Sequence, residues 1–219
     1  MATVIAILNS KGGTGKTTLA TNIGGCLHRR GHSVLIVDSD PQGSARDWHE
    51  AQPEGVDLPA VVGVDRPTLH KDVPAISNQF EFVIIDGAAK LENMTASAVK
   101  AADFVMIPVK HSGFDLWAVE SLVESIHTRR QLTDGKPDAA FVVSSQSQRT
   151  RLARSVDDVL KEYGLPVMQA RTSQRIAYEE AGGAGLTVLD LQGRDKAAGE
   201  IEEITTELLG MLNHAKVQT

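Results

Sequence analysis

The stretch "NSKGGTGKTT", residues 9–18, decides the fold. Its tail, Gly15-Lys16-Thr17, closes like a G-x-x-x-x-G-K-[ST] phosphate loop, but Ser10 stands where that pattern has its first glycine. A second lysine, Lys11, precedes the Gly12-Gly13 pair. The apolar run "TVIAIL" (3–8) leads in, and Leu19, Ala20, Ile23, Cys26 and Leu27 follow at helical spacing. Strand, glycine loop and helix are the setting in which such a loop works: backbone N–H groups curl around phosphate oxygens, and the helix N-terminus adds its positive end. In this reading Gly12, Gly13, Thr14 and Gly15 shape the cradle and Lys16 meets the β- and γ-phosphates. The Thr17 hydroxyl binds Mg2+, and Thr18 donates to the α-phosphate. The plainer alternative is a glycine turn capped by Thr17.

Working outward, short apolar runs alternate with helical patterns along the chain. "SVLIVD" (33–38), "AVVGV" (60–64), "FEFVIID" (80–86), "DFVMIPV" (103–109), "AAFVVSS" (139–145) and "VMQAR" (167–171) read as further strands. They are continuously apolar rather than alternating, which marks strands covered on both faces, as in parallel sheets. Helical spacing recurs at Leu116, Val119, Val123 and Ile126, at Leu152, Val156, Val159, Leu160 and Tyr163, and at Ile201, Ile204, Leu208 and Leu212. The expectation is α/β: a doubly wound, mostly parallel sheet flanked by helices with right-handed crossovers. Residues 1–219 are expected to form a single P-loop ATPase domain, with "AQPEGVDLP" (51–59) a surface loop.

Two carboxylate-bearing strand ends accompany the loop. "VLIVDSDPQG" (34–43) ends in Asp38, Asp40 and a Pro turn, and "FVIIDGAA" (82–89) ends four apolar residues with Asp86. Ligands of open α/β sheets collect at the carboxyl ends of strands, so these side chains are expected to face the nucleotide. Turn-forming aspartates before Pro41 are the alternative for the first pair. A carboxylate at position 86 can hold a Mg2+ shell, and the short Gly87-Ala88-Ala89 segment is a candidate switch. The single cysteine, Cys26, excludes a multi-cysteine metal or iron–sulfur site supplied by one chain. No run approaches the length of a membrane span, and no leader pattern precedes the loop, so a cytoplasmic protein is expected.

These motifs resemble the ParA/MinD group of P-loop ATPases, in which "KGGTGKTT" is the deviant Walker A form. The resemblance spans nearly the whole chain and is strongest at residues 3–43 and 82–115. It implies ATP and Mg2+ as cofactors and an ATP-bound sandwich homodimer in which Lys11 crosses to the partner's phosphates. By the D-x-D-P-Q match it implies Asp38 near Mg2+ and Asp40 orienting the attacking water, so that Lys11, Lys16 and Asp40 form the catalytic set. "IPVKHSGFD" (107–115) departs from the family's I-P-V-x-P-S-P-x-D: only Pro108 of its prolines is present. The loop begins nine residues from Met1, and no N-terminal helix-turn-helix is expected before it.

Net charge is −6, but residues 129–175 carry +4 between segments of −5 each. Arg149, Arg151 and Arg154 fall at an expected helix start, where cations oppose the dipole, and Arg171 and Arg175 follow. They read either as a sequence-blind phosphate-contacting patch or as a solvated face paired with Asp157, Asp158 and Glu162. With the resemblance, the expected function is a DNA partition ATPase that binds double-stranded DNA nonspecifically, lies on the nucleoid and is released by hydrolysis. Hydrolysis would be stimulated by a ParB-like or small centromere-binding adaptor. The alternatives are a positioning ATPase for a protein cargo, a MinD-like membrane-cycling ATPase, and a metabolic P-loop enzyme. Glu200, Glu202, Glu203 and Glu207 on the last helix argue against a membrane partner.

Overall fold

A computed structural model describes residues 1–89, 91–110, 116–145 and 153–217. Six strands, β1 (Thr3–Ile7), β2 (Val34–Asp38), β3 (Ala60–Gly63), β4 (Phe82–Asp86), β5 (Phe104–Lys110) and β6 (Asp138–Ser144), form one sheet in the order β3-β2-β4-β1-β5-β6. Each of these pairings is parallel, as continuous apolar strands require. Among the described residues eight helices connect and cover them: α1 (Lys16–Arg29), α2 (Ser44–Glu50), α3 (Leu69–Ile76), α4 (Glu92–Ala101), α5 (Leu116–Gln131), α6 (Ala153–Lys161), α7 (Ile176–Gly183) and α8 (Asp195–Val217).

The pleat sorts the inner strands between two cores. Val4, Ala6 and Leu8 face one layer with Met94 and Val99 of α4 and Val119 and Ile126 of α5. Ile5 and Ile7 face the other with Leu19 and Ile23 of α1 and Ile201 and Leu208 of α8. Cys26 lies buried in that second layer as a free thiol. Trp48 of α2 packs on Ile36 at the sheet margin and donates its indole N–H to the Leu186 carbonyl at 2.9 Å.

The expected strand at 167–171 is corrected. Among the described residues a single parallel bridge, Phe141 to Val167, joins it to β6. The Gln169 and Ala170 N–H groups donate instead to the Glu207 carboxylate of α8 at 2.9 and 2.8 Å. The Met168 N–H still donates to the Phe141 carbonyl at 2.8 Å, but the next donor on that side, Ala170, is taken by a side chain instead of a seventh ladder.

Parallel pairing brings all six carboxyl ends to one rim. β1 lies between β4 and β5 while its chain runs on to β2, so the crossovers diverge beside the loop that follows β1. Crevices at such reversals are where ligands of open sheets bind.

Candidate functional site

The loop after β1 is held by β5 and β6. Asn9 donates its side-chain amide to the Pro108 carbonyl of β5 (2.8 Å) and accepts the Lys11 N–H on Oδ1 (2.9 Å). Ser144, at the end of β6, donates its hydroxyl to the Thr14 carbonyl (2.6 Å). Gly13 and Gly15 have φ of 71° and 91°, left-handed conformations that a side chain would strain. Among the described residues no side chain caps α1, whose N-cap is Gly15, and its first turn holds no acidic residue. The helix start is therefore open to an external anion.

Lys16 is buried, and its ammonium donates to the Lys11 carbonyl at 3.2 Å. Burial pulls its pKa down, and the carboxylates of Asp86 and Asp40 oppose that shift. Thr17 donates its hydroxyl to Asp86 Oδ2 at 2.7 Å. Burial drives the Asp86 pKa up to about 7; the Thr17 hydrogen bond and Lys16 pull it down, while Asp38 and Asp40 push it further up. Asp86 Oδ1 is buried and, among the described residues, has no hydrogen-bond partner. An orphaned buried carboxylate oxygen beside a threonine hydroxyl suits a hard cation, so the residues present fit Mg2+. Among the described residues no group of three His, Cys, Asp or Glu could cage a metal.

The two aspartates after β2 part ways. Asp38 is fully buried, in register beside Asp86. Its Oδ2 accepts the N–H groups of Ala45 (3.1 Å) and Arg46 (3.0 Å), and its Oδ1 accepts that of Asp40 (3.0 Å). The carboxylate expected near the metal thus serves as the acceptor for the first turn of α2. Asp40 is half-buried; Oδ1 accepts the Gln42 N–H (3.0 Å) and Oδ2 the Ala89 N–H (3.2 Å), which ties the loop after β2 to the segment after β4. Gly87 crosses the end of β1, donating to the Ile7 carbonyl at 3.1 Å. A Cβ at Gly87 would stand 2.7 Å from that carbonyl oxygen, so this start of the candidate switch is pinned by close packing.

Of the five arginines expected from sequence, Arg171 and Arg175 have described side chains. Arg149 and Arg151 lie outside the described residues, and so does the side chain of Arg154 in α6. Arg171 pairs with Asp157 at 3.1 Å, the partner expected under the ion-pair alternative. Arg175 forks onto Glu200 with contacts of 2.9 and 2.6 Å, and Tyr178 donates to the same carboxylate at 2.8 Å. His111 to Asp115 lie outside the described residues. Sequence reasoning missed Asn9, Ser144, Ser39 and Arg46 as parts of the site. Ser39 donates its hydroxyl to the Asp86 carbonyl at 2.8 Å. Asn9, Ser39 and Ser144 follow apolar runs at strand ends, a readable signal; nothing in the spacing points to Arg46.

The family model of the CobQ/CobB/MinD/ParA nucleotide binding domain matches residues 5–188. The chain belongs to this family. It is similar to maintenance of carboxysome distribution protein A of Halothiobacillus neapolitanus, 32% identical over 211 residues that cover 95% of this chain and 97% of that one. It is 27% identical to the chromosome-partitioning ATPase Soj of Thermus thermophilus, covering 96% of this chain and 97% of the relative. Cobyrinic acid a,c-diamide synthase from Mycobacterium smegmatis, solved with an ATP analogue and magnesium, shares the fold. Its TM-score is 0.73 at 23% identity, over 95% of this chain and 94% of the synthase. ATP and Mg2+, expected from residues 9–18 and 86, are thus the ligand class found with this fold. No helix among the described residues is long and apolar enough to cross a membrane.

Proposed function

We propose that this chain is a positioning ATPase that cycles on DNA. Carrying that reading is its 32% identity, along almost the full length of both chains, to a carboxysome distribution protein. Binding of ATP closes a sandwich homodimer, the dimer holds double-stranded DNA without reading its sequence, and an adaptor protein stimulates hydrolysis and release. A protein assembly is the cargo this similarity favours. Partition of DNA with a ParB-like adaptor is the second reading, supported by the 27% identity to Soj. Both place the working protein in the cytoplasm on the nucleoid.

In this reading Gly12 to Thr18 and Lys16 bind the phosphates, and Thr17 with Asp86 holds the Mg2+, which neutralises charge on the phosphoryl oxygens. Asp38 anchors the loop that carries Asp40, and Asp40 orients the attacking water. Lys11 stabilises the transferring phosphoryl group of the partner subunit. Arg149, Arg151 and Arg154 are the proposed DNA contacts. Arg171 and Arg175 are left out, because carboxylates of the same chain already meet their charges.

The test is retention on nonspecific double-stranded DNA with ATP, ADP or no nucleotide, titrated with salt. The expected result is ATP-dependent retention that weakens steeply with salt and vanishes in Lys16→Ala. Replacing Arg149, Arg151 and Arg154 with Glu should weaken retention equally on all sequences. The same change should lower the salt slope by roughly one for each phosphate no longer neutralised. Retention indifferent to nucleotide would overturn the proposal.

A further inference from the structure

We propose that Arg46 is a positioning residue for ATP hydrolysis, acting through Asp40; this rests on the reading of Asp40 as the water-orienting carboxylate. Arg46 lies in the first turn of α2, yet its guanidinium reaches back over the loop that precedes the helix. Nη2 donates to the Asp40 carbonyl at 3.1 Å, and Nε approaches Asp38 Oδ2 at 3.4 Å. Its own backbone N–H donates to the same Asp38 oxygen at 3.0 Å. One residue therefore spans residues 38–40 with its main chain and its side chain.

The slot that holds it is lined by glycines. A Cβ at Gly63, the last residue of β3, would stand 3.0 Å from Arg46 Cδ, and one at Gly43 would stand 3.2 Å from Nη2. Larger residues at either place would crowd the guanidinium off the loop. Gly43 has φ of 72°, so the turn that brings α2 under the loop also depends on glycine there. The Arg46 side chain stays 40% exposed while its Asp38 partner is fully buried. Arg46 thus covers the outer side of the loop, and a fork of fixed geometry suits two acceptors better than an ammonium does.

What Arg46 fixes is limited in a useful way. Without the side chain, Asp38 still accepts the N–H groups of Asp40, Ala45 and Arg46, so the start of α2 stays capped. Asp40 loses one of the two donors to its carbonyl, keeping the Gly43 N–H at 2.9 Å, while its carboxylate remains shared between Gln42 and Ala89. The loosened part is the turn that aims the Asp40 carboxylate. Misplacing a group that must align water costs rate rather than affinity.

The experiment compares Arg46→Met, which keeps much of the side-chain bulk and removes the donors, with Arg46→Lys, which keeps the charge. ATP affinity and single-turnover hydrolysis of bound ATP are read for each. Arg46→Met should slow hydrolysis about tenfold or more while shifting affinity less than about threefold. Arg46→Lys should recover part of the rate. On an Asp40→Ala background, Arg46→Met should cause no further loss, because both changes remove one function. An unchanged rate in Arg46→Met, the same loss on the Asp40→Ala background, or affinity falling in step with rate would each overturn the proposal. Hydrogen exchange at the Gln42 and Ala89 amides gives a readout independent of turnover: it should accelerate in Arg46→Met while exchange at Lys16 and Thr17 is unchanged. Absence of hydrolysis in the wild type would sink the ATPase reading, whereas unchanged exchange at those two amides would sink the role of Arg46.

Discussion

Among single residues, Asp86 is the carboxylate whose burial is least relieved. Its buried carboxyl has a pKa raised to about 7, against an ordinary value of 3.8 in the unfolded chain. Between those values the folded protein holds a proton that the unfolded chain has released. The unfolded state then binds fewer protons, so stability falls as pH rises through that window and levels off above about 7. The contribution of this group should therefore make the nucleotide-free protein more stable near pH 5 than near pH 8, by at most about 4 kcal/mol. Asp86→Asn should flatten this part of the profile, as measured by thermal unfolding across pH without nucleotide. A profile unchanged by the substitution would mean that Asp86 is already ionised in the folded state. The same burial explains why a cation is suited to this place: it would relieve the desolvation that holds the proton on.

At the scale of elements, legibility follows periodicity and fails where side chains replace the backbone's usual partners. Six of the seven expected strands are in the sheet: two-sided burial writes five of them as unbroken apolar runs, and β3, an edge strand that is mostly exposed, is marked by its valines. Helices α2, α3, α4 and α7 are short, and α3 even contains Pro74, so too few turns repeat for spacing alone to mark them. The seventh strand misleads because "VMQAR" has the right composition, while the Gln169 donor goes to Glu207, 38 residues away. The phosphate loop is legible residue by residue because its chemistry is local. The Asp38 cap and the Arg46 span are not, since they depend on where α2 turns back. The glutamates of α8 make the same point: Glu202 and Glu203 are exposed, whereas Glu200 gathers Arg175, Tyr178 and the Ser173 N–H. Although burial pushes the Glu200 pKa up, these donors hold it below the usual carboxylate value. Glu200→Ala should cost roughly 1–3 kcal/mol in denaturant unfolding, because it strands an arginine and a backbone donor. Glu202→Ala and Glu203→Ala should each change stability by less than about 0.5 kcal/mol. Equal effects at all three would mean that Glu200 is only part of a solvated face.

For the whole molecule, the proposed role of the second lysine of the loop concerns two chains rather than one. Lys11 is half-buried at the loop, its N–H fixed by Asn9 and its carbonyl accepting from Lys16. The proposed use of Lys11 is across a dimer, and the alternative is a role at the nucleotide of its own chain. Mixing two inactive variants separates the possibilities. Lys11→Ala retains Asp40, and Asp40→Ala retains Lys11. If the lysine acts across the interface, a mixed dimer has one site with its own Asp40 and a lysine from the partner, and that site turns over. Equal mixing with free exchange in a twofold dimer should then restore roughly a quarter of the wild-type rate from two preparations that are each nearly inactive. If Lys11 serves its own nucleotide, every site in the mixture lacks one of the two groups and no rate returns. The mixture is read by steady-state ATP hydrolysis with saturating nucleotide, after confirming that both variants still bind ATP. Restoration would make the dimer the catalytic unit, and its absence would return Lys11 to the chain that carries it.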